Sequence, residues 1–537
     1  MRMPKRRRYD AVVVGGGHNG LVAGFYLARA GVKTLILERR DILGGACNTE
    51  EFAPGFRAST GAYVLSMLRR SIWKDMDLVR RGIQVDEAGP SLNLYPDGAR
   101  FMLHDDTDRA VEEIARYSRR DAQAFPEFEA DLARLAEGVT PAFDWTPPDP
   151  RVRKLGDLRG LARYGWQGFR HRRDIQDATF LFTTSVTQYL GERFESEHVK
   201  AALGWHAIND SLSGPSTQGT AYVLLHDHAS EDAGGGVRQW GFVRGGMGEL
   251  TARMADAARD AGAEIRTGAE VDQITLRRGR ASGVVLSGGE EIRSKIVLSN
   301  ADPKRTFLGL VEPGALPERF LGSIRAYRCE GTSIKINLGV AELPMVRGLP
   351  TNGAQEYHRG IMEINSTLAD MDWDQAQARR GRSAENSHVE ICFPTVHDAS
   401  LAPEGKHVVT IDVNSQPYNL REGTWDERKE QIADRVIGQL SEHFPNLPGS
   451  ILHRQVLSPL DLERLIGLTG GHALHGDMSP DQLLFMRPVR GYGDYRTPLR
   501  NLYLCGAGTH PGGGVTGANG RNCAREVLKD RRRRRWR

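Results

Sequence analysis

Residues 9–38 read YDAVVVGGGHNGLVAGFYLARAGVKTLILE, and this stretch decides the fold. The apolar run 9–14 predicts a short buried strand, residues 15–20 a glycine turn into an alanine-rich helix ending near Gly31, and residues 34–38 a second strand. In such a unit Gly15 permits the tight turn, Gly17 lets backbone approach a pyrophosphate, and Gly20 lets the helix pack closely on the strand. His18 and Asn19 occupy the start of the helix, where free N–H groups and a partial positive charge favour phosphate. Glu38 ends the second strand, where a carboxylate can accept both ribose hydroxyls. A glycine turn alone is a weak signal. The strand before it, the helix after it and the acid at this remove together predict dinucleotide binding.

Arg39 to Ala46 reads RRDILGGA, placing the glycine pair Gly44 and Gly45 just beyond the acid. Paired glycines there bring backbone near a cofactor that continues past its adenosine. The pattern resembles the extended FAD fingerprint of the amine oxidase and phytoene desaturase superfamily, so the expected cofactor is FAD, held by Gly15, Gly17, His18, Asn19, Gly20, Glu38, Arg39, Gly44, Gly45 and Ala46.

The chain has 537 residues, 39% hydrophobic and 26% charged, as expected of a globular protein of two to four domains. No uncharged apolar run reaches membrane-spanning length, and residues 1–8 are too short for a leader, so a cytoplasmic location is expected. The net charge of +4 is unevenly distributed. Residues 1–8 carry five basic residues and residues 529–537 a net +6, leaving −7 on the body between them. That argues against nucleic-acid binding. The two basic arms suit peripheral contact with an anionic lipid surface or an acidic partner; solvated ends are the alternative. Cys47, Cys329, Cys392, Cys505 and Cys523 form no CxxC pair and read as buried free thiols.

Further along, residues 64–73 and 108–138 carry helical periodicity, with Thr107 or Asp108 as a cap, and the Pro-rich residues 146–150 break it. Residues 151–173 hold eight basic residues and one acid. Leu158, Leu161, Gly165 and Phe169 share a helical face there, with Tyr164 and Trp166 beside it, which suits either a lipid interface or a basic helix packed on its neighbours. Gly245 to Gly248 reads as a helix entry rather than a second nucleotide turn, so no NAD(P)H domain is expected. Short strands at 263–265, 270–276, 281–286 and 295–298 return the chain to the cofactor domain, and strands at 332–340, 389–393 and 408–414 with a helix at 425–444 follow. The expected segments are 9–72, 241–306 and 484–530 for the FAD domain, and 73–240 and 307–483 for the substrate domain.

Residues 501–505 predict a strand, followed by GAGTHPGGGVTG at 506–517 and a helix at 518–528. So many glycines bring backbone close to something flat or charged, and the helix aims its positive end there. With THPGGG, GANGRN and the N-terminal GGGHNG, the chain resembles phytoene desaturase-related flavoproteins, in the branch that includes desaturase-type carotene ketolases. The resemblance covers nearly the whole chain. It implies an α/β architecture, a discontinuous Rossmann-like FAD domain with an α+β substrate domain, and FAD contacts from Val271, Asn300, Gly506, Gly508, Gly514, Val515 and Thr516.

In such enzymes the flavin takes or gives the hydride, so few protein groups need act. His510, in the glycine turn, can donate a hydrogen bond or relay a proton, or be structural. Lys335, in SIKIN, resembles in position the lysine beside the flavin of amine oxidases, with an exposed strand face as the simpler reading. His226, Asp227 and His228 read as a surface loop or a site. No metal spacing stands out. The expected reaction is hydride transfer between a small apolar, isoprenoid or lipid-like substrate and FAD; an amine oxidase reaction on a polar amine, or a flavoprotein that mainly binds a partner, are the alternatives. Substrate, acceptor and oligomeric state are not legible.

Overall fold

The computed structural model describes residues 8–152, 155–208, 210–229 and 240–533. Most of the two basic arms (residues 1–7 and 534–537), with Arg153 and Lys154, lies outside them.

Strand Arg8–Val14 is hydrogen-bonded in parallel to Thr34–Leu37 on one side and to Glu291–Ser299 on the other. Both faces of Arg8–Val14 are covered, which accounts for its unbroken apolar run. Glu264–Arg266 extends the sheet beyond Thr34–Leu37, also in parallel. Past Glu291–Ser299 the strands turn antiparallel through Arg280–Leu286 and Val271–Arg277, and Leu502–Leu504 joins Glu291–Ser299 in parallel. Three distant parts of the chain thus build one seven-stranded sheet. Helix His18–Arg29 covers it, and Ala518–Arg532 lies on that helix so closely that a Cβ at Gly520 would stand 2.1 Å from the Asn19 carbonyl oxygen.

A second seven-stranded sheet runs Ile451–Leu457, Ile334–Val340, His407–Val413, Val389–Cys392, Met362–Ile364, Ser91–Leu94, Arg100–Leu103. Only the Met362–Ile364 pairing with Ser91–Leu94 is parallel. Helices between Thr107 and His228 form an adjoining layer around Phe125, Phe128, Leu132, Tyr189 and Trp205.

Several expectations are corrected. The helix expected over 64–73 is only Arg70–Asp75, because Leu65 pairs with Gly241 and the Arg69 amide donates to the Thr516 carbonyl oxygen, holding the segment before it out of a helix. The periodic stretch 108–138 is two helices, Thr107–Ile114 and Arg119–Phe143, capped by Asp106 and Ser118. His226, Asp227 and His228 stand on helix Ala221–His228 and not on a loop, with the His226 ring 4.8 Å from that of Phe143. All five cysteines are free and buried.

Candidate active site

The site is built at the C-terminal ends of the parallel strands, where an open α/β sheet leaves a crevice. Gly15 adopts φ +99°, which favours glycine, and a Cβ at Gly20 would stand 2.1 Å from the Gly15 carbonyl oxygen. Glu38 turns inward: its carboxylate accepts from the Gly16 amide at 2.8 Å and the Arg40 amide at 3.0 Å, tying the second strand to the glycine turn. Gly44 (φ +111°) and Gly45 (φ +59°) bring their backbone alongside Gly17, whose own Cβ would stand 2.9 Å from Asn300 Nδ2.

Gly15, Gly17, His18, Asn19, Glu38, Arg39, Gly44, Gly45, Ala46, Val271 and Asn300 line one cavity of about 130 Å³. Gly20, Gly506, Gly508, Gly514, Val515 and Thr516 do not line it. A Cβ on Gly506 would meet the Asn300 carbonyl oxygen at 2.5 Å, on Gly508 Pro303 Cδ at 2.4 Å and on Gly514 Met67 Sδ at 2.4 Å, so none of these positions has room for a side chain. Val515 adopts φ +57°, and Thr516 Oγ1 donates to Asn519 Oδ1 at 3.2 Å. Ala507 is the part of this turn that reaches the cavity.

Other lining residues have no local sequence signal: Arg305, Leu310, Leu468, Ala473 and His475. Arg39 donates to the Arg464 and Leu465 carbonyl oxygens at 2.8 and 2.6 Å; burial and then the nearby Arg305 lower its guanidinium pKa. His18 is pulled down to about 4 by burial and then by His475, and His475 to about 4 by burial, so both imidazoles are neutral at pH 7. Asn19 Oδ1 and His475 Nδ1 are buried without a hydrogen-bond partner, and both residues line this cavity. A glycine cradle beside a helix N-terminus, with polar atoms to satisfy, fits FAD. Gly15 to Asn19 would take its pyrophosphate and Glu38 its ribose.

The expected catalytic candidates lie elsewhere. His510 is buried, its Nε2 donates to the Ala142 carbonyl oxygen at 2.9 Å, and burial lowers it to about 4. It does not line the cavity. Lys335 is buried, correcting the exposed-strand reading: Nζ donates to the Gly61 carbonyl oxygen at 3.1 Å and stands 3.5 Å from the centre of the Tyr63 ring. Gly61 is one residue from Ala62, whose amide donates to the carbonyl oxygen of Ala46 at 2.8 Å, so the irregular segment 60–62 stands between Lys335 and the cavity wall.

A row of polar side chains crosses the second sheet at this level, and no sequence signal announces it. Lys335 is paired with Asp412, Asp412 with Glu390, Glu390 with Glu363 and Glu363 with Asn93. Residues directly opposite on paired strands share a face. Tyr63 donates to Glu390 Oε2 at 2.6 Å. Burial, then Asp412, pushes Glu390 up to about 8; burial raises Asp412 to about 6 and Asp227, nearby on its helix, to about 7. Burial lowers Lys335 and holds Glu363 well above the usual carboxylate range.

The model of flavin containing amine oxidoreductases matches residues 20–528. The chain belongs to that family. This flavin oxidoreductase is 38% identical to the rat (Rattus norvegicus) pyridine nucleotide-disulfide oxidoreductase domain-containing protein 2, over 97% of the chain and 94% of the rat protein. It is 28% identical to a limonene dehydrogenase polypeptide of Castellaniella defragrans, over 98% and 96%. Among solved structures, cyclohexylamine oxidase from Brevibacterium oxydans superposes with a TM-score of 0.58 at 17% identity, covering 98% of this chain and 99% of that one, a likeness of fold. The enzyme is thus an FAD-dependent oxidoreductase, and its five thiols are all free.

Proposed function

We propose that this oxidoreductase transfers a hydride between an apolar, isoprenoid or lipid-like substrate and FAD. The observation that carries the reading is the buried polar row behind the cavity wall: burial pushes Glu390 up to about 8, holds Glu363 above the usual carboxylate range and lowers Lys335, so these surroundings work against charge. Surroundings that disfavour ions suit an apolar molecule better than a charged one. The similarity to the limonene dehydrogenase polypeptide over nearly the full chain supports the same substrate class.

When bound, FAD supplies the hydride-accepting chemistry. The protein's part is to bind and orient it with Gly15 to Asn19, Glu38 and Gly44 to Ala46, to keep His18 and His475 neutral around it, and to hold a mobile proton on the Tyr63–Glu390 pair.

The carboxylates of the row favour a second reading, oxidation of an amine, because Glu390 and Asp412 become anionic as pH rises. Anaerobic mixing of the flavin-loaded protein with a series of terpenes and with a series of water-soluble amines separates the two. Loss of visible flavin absorbance with terpenes alone supports the first reading. Loss with amines alone, with KM falling as pH passes 8, overturns it.

A further inference from the structure

Helix Leu155–Arg170 is built inside out. At 3.6 residues per turn, Leu155, Leu158, Ala162, Trp166 and Phe169 fall on one stripe, and every one of them is exposed. Leu155 is 65% exposed, Trp166 62%, Phe169 58% and Leu158 54%. Of eleven large apolar residues exposed among the described residues, six lie between 152 and 175. The face turned to the protein, half-buried Leu161 and Tyr164 apart, is polar or small instead. Asp157 is buried, Gln167 Nε2 donates to the Gly138 carbonyl oxygen at 3.1 Å, and a Cβ on Gly160 would stand 2.8 Å from Pro148 Cβ. A helix that only needed to pack on its neighbours would be patterned the other way.

Beside the apolar stripe runs a basic one. Arg159, Arg163 and Arg170 lie along the same side, with Arg172 and Arg173 just beyond, and all five are exposed. Arg163 stacks 4.2 Å from the centre of the Trp145 ring and Arg172 5.1 Å from that of Phe169. The acids of this stretch are committed elsewhere: Asp157 is buried, and Asp174 pairs with Arg134 and His171.

We infer that the exposed face of Leu155–Arg170 docks on an anionic lipid surface, with Leu155, Leu158, Trp166 and Phe169 entering the acyl boundary and Arg159, Arg163, Arg170, Arg172 and Arg173 meeting the headgroups. Charge decides against a second copy of the chain as the occupant, since a two-fold contact would set this basic stripe against itself. The inner face reaches toward the core: Tyr164 packs edge-on against Trp145 at 5.2 Å and lies in electrostatic reach of Tyr495, whose hydroxyl donates to the His510 carbonyl oxygen at 2.9 Å. The docked face is therefore one layer from the C-terminal glycine turn, placed to take up a substrate dissolved in lipid. That use rests on the apolar-substrate reading; the docking does not.

The test sediments the full-length, flavin-loaded protein with vesicles of phosphatidylcholine alone or mixed with phosphatidylserine. Binding is expected on the mixed vesicles, weakened by salt, with a blue shift of tryptophan emission lost in Trp166→Ser. The Trp166→Ser/Phe169→Ser variant should bind at least about tenfold more weakly, and Arg159→Gln/Arg163→Gln/Arg170→Gln about fivefold more weakly per charge. Unchanged flavin content and circular dichroism show that the variants are folded. Full-strength binding by Trp166→Ser/Phe169→Ser would assign the membrane contact to the basic ends of the chain and overturn the inference. So would no binding by the parent protein, or a dimer dissociated by the same pair of substitutions. Vesicle binding without any turnover of terpenes would refute the apolar substrate and leave the docking intact.

Discussion

Asp144→Asn should unlatch the cofactor domain from the helical layer. Asp144 follows the last residue of helix Arg119–Phe143, and its carboxylate accepts from Arg69 Nε at 3.0 Å and Nη2 at 3.4 Å and from Arg521 of the C-terminal helix. Arg69 is fully buried and Arg521 1% exposed, so neither guanidinium can turn to bulk water when the anion is lost. Removing one partner of a buried ion pair costs about 3–5 kcal/mol. Spread over the unfolding entropy of a chain of 537 residues, this lowers Tm by about 3–4 °C if the chain melts as one unit. The measurement is differential scanning calorimetry of the flavin-loaded protein, with Asp144→Asn/Arg521→Gln as the control. The double variant removes one stranded cation with the anion and should recover part of the loss. A Tm for Asp144→Asn within 1 °C of the parent, about a third of the smallest expected shift, would refute the reasoning.

Three further outcomes are expected. Gly44→Ala would place a Cβ 2.6 Å from both the Cys47 carbonyl oxygen and Thr251 Oγ1 at φ +111°, so the variant should retain FAD at least about tenfold more weakly, read as flavin content after dialysis. Glu390→Gln should remove a pH dependence of stability. The folded protein keeps a proton up to about pH 8 that the unfolded chain releases near 4.5, so this group's contribution falls as pH rises across that window; the slope of Tm against pH from 5 to 9 should flatten, and an unchanged slope would count against the buried, protonated carboxyl. Lys335→Met should slow reoxidation of the reduced protein by oxygen at least about tenfold in stopped flow, if the lysine moves a proton there. An unchanged rate would leave Lys335 a packing residue.

The sheet that carries the cofactor site is legible in the sequence because its signals are local. The run before Gly15, the glycine spacing and the acid at position 38 all fall within thirty residues, and the segments 264–266, 291–299 and 502–504 stand as strands close to where the pattern puts them. What is not legible depends on distant meetings. Arg305 reaches the cavity from the first residue of the short helix Arg305–Leu310, and Leu468 and His475 from loops with no periodicity, so only the fold brings them to Gly15. The strand holding Lys335 alternates polar and apolar residues, the pattern of a sheet with one wet face. Both faces are buried, because the polar side meets Asp412, Glu390 and Tyr63 rather than water. The helix at 155–170 shows its basic, amphipathic character in the sequence. Which way its apolar stripe points is a property of its neighbours, among them the Gln167 contact with Gly138, and no periodicity encodes it.

Assembly of the first sheet from three remote segments has a consequence for synthesis. Domains tend to fold as they leave the ribosome, N-terminal part first. Here strand Arg8–Val14 and its glycine turn emerge with one partner, Thr34–Leu37, close behind, yet the other, Glu291–Ser299, arrives much later, and Leu502–Leu504 with the cavity residue Ala507 later still. A chain stopped before residues 502–507 thus carries the recognisable motif with no finished place to hold the cofactor.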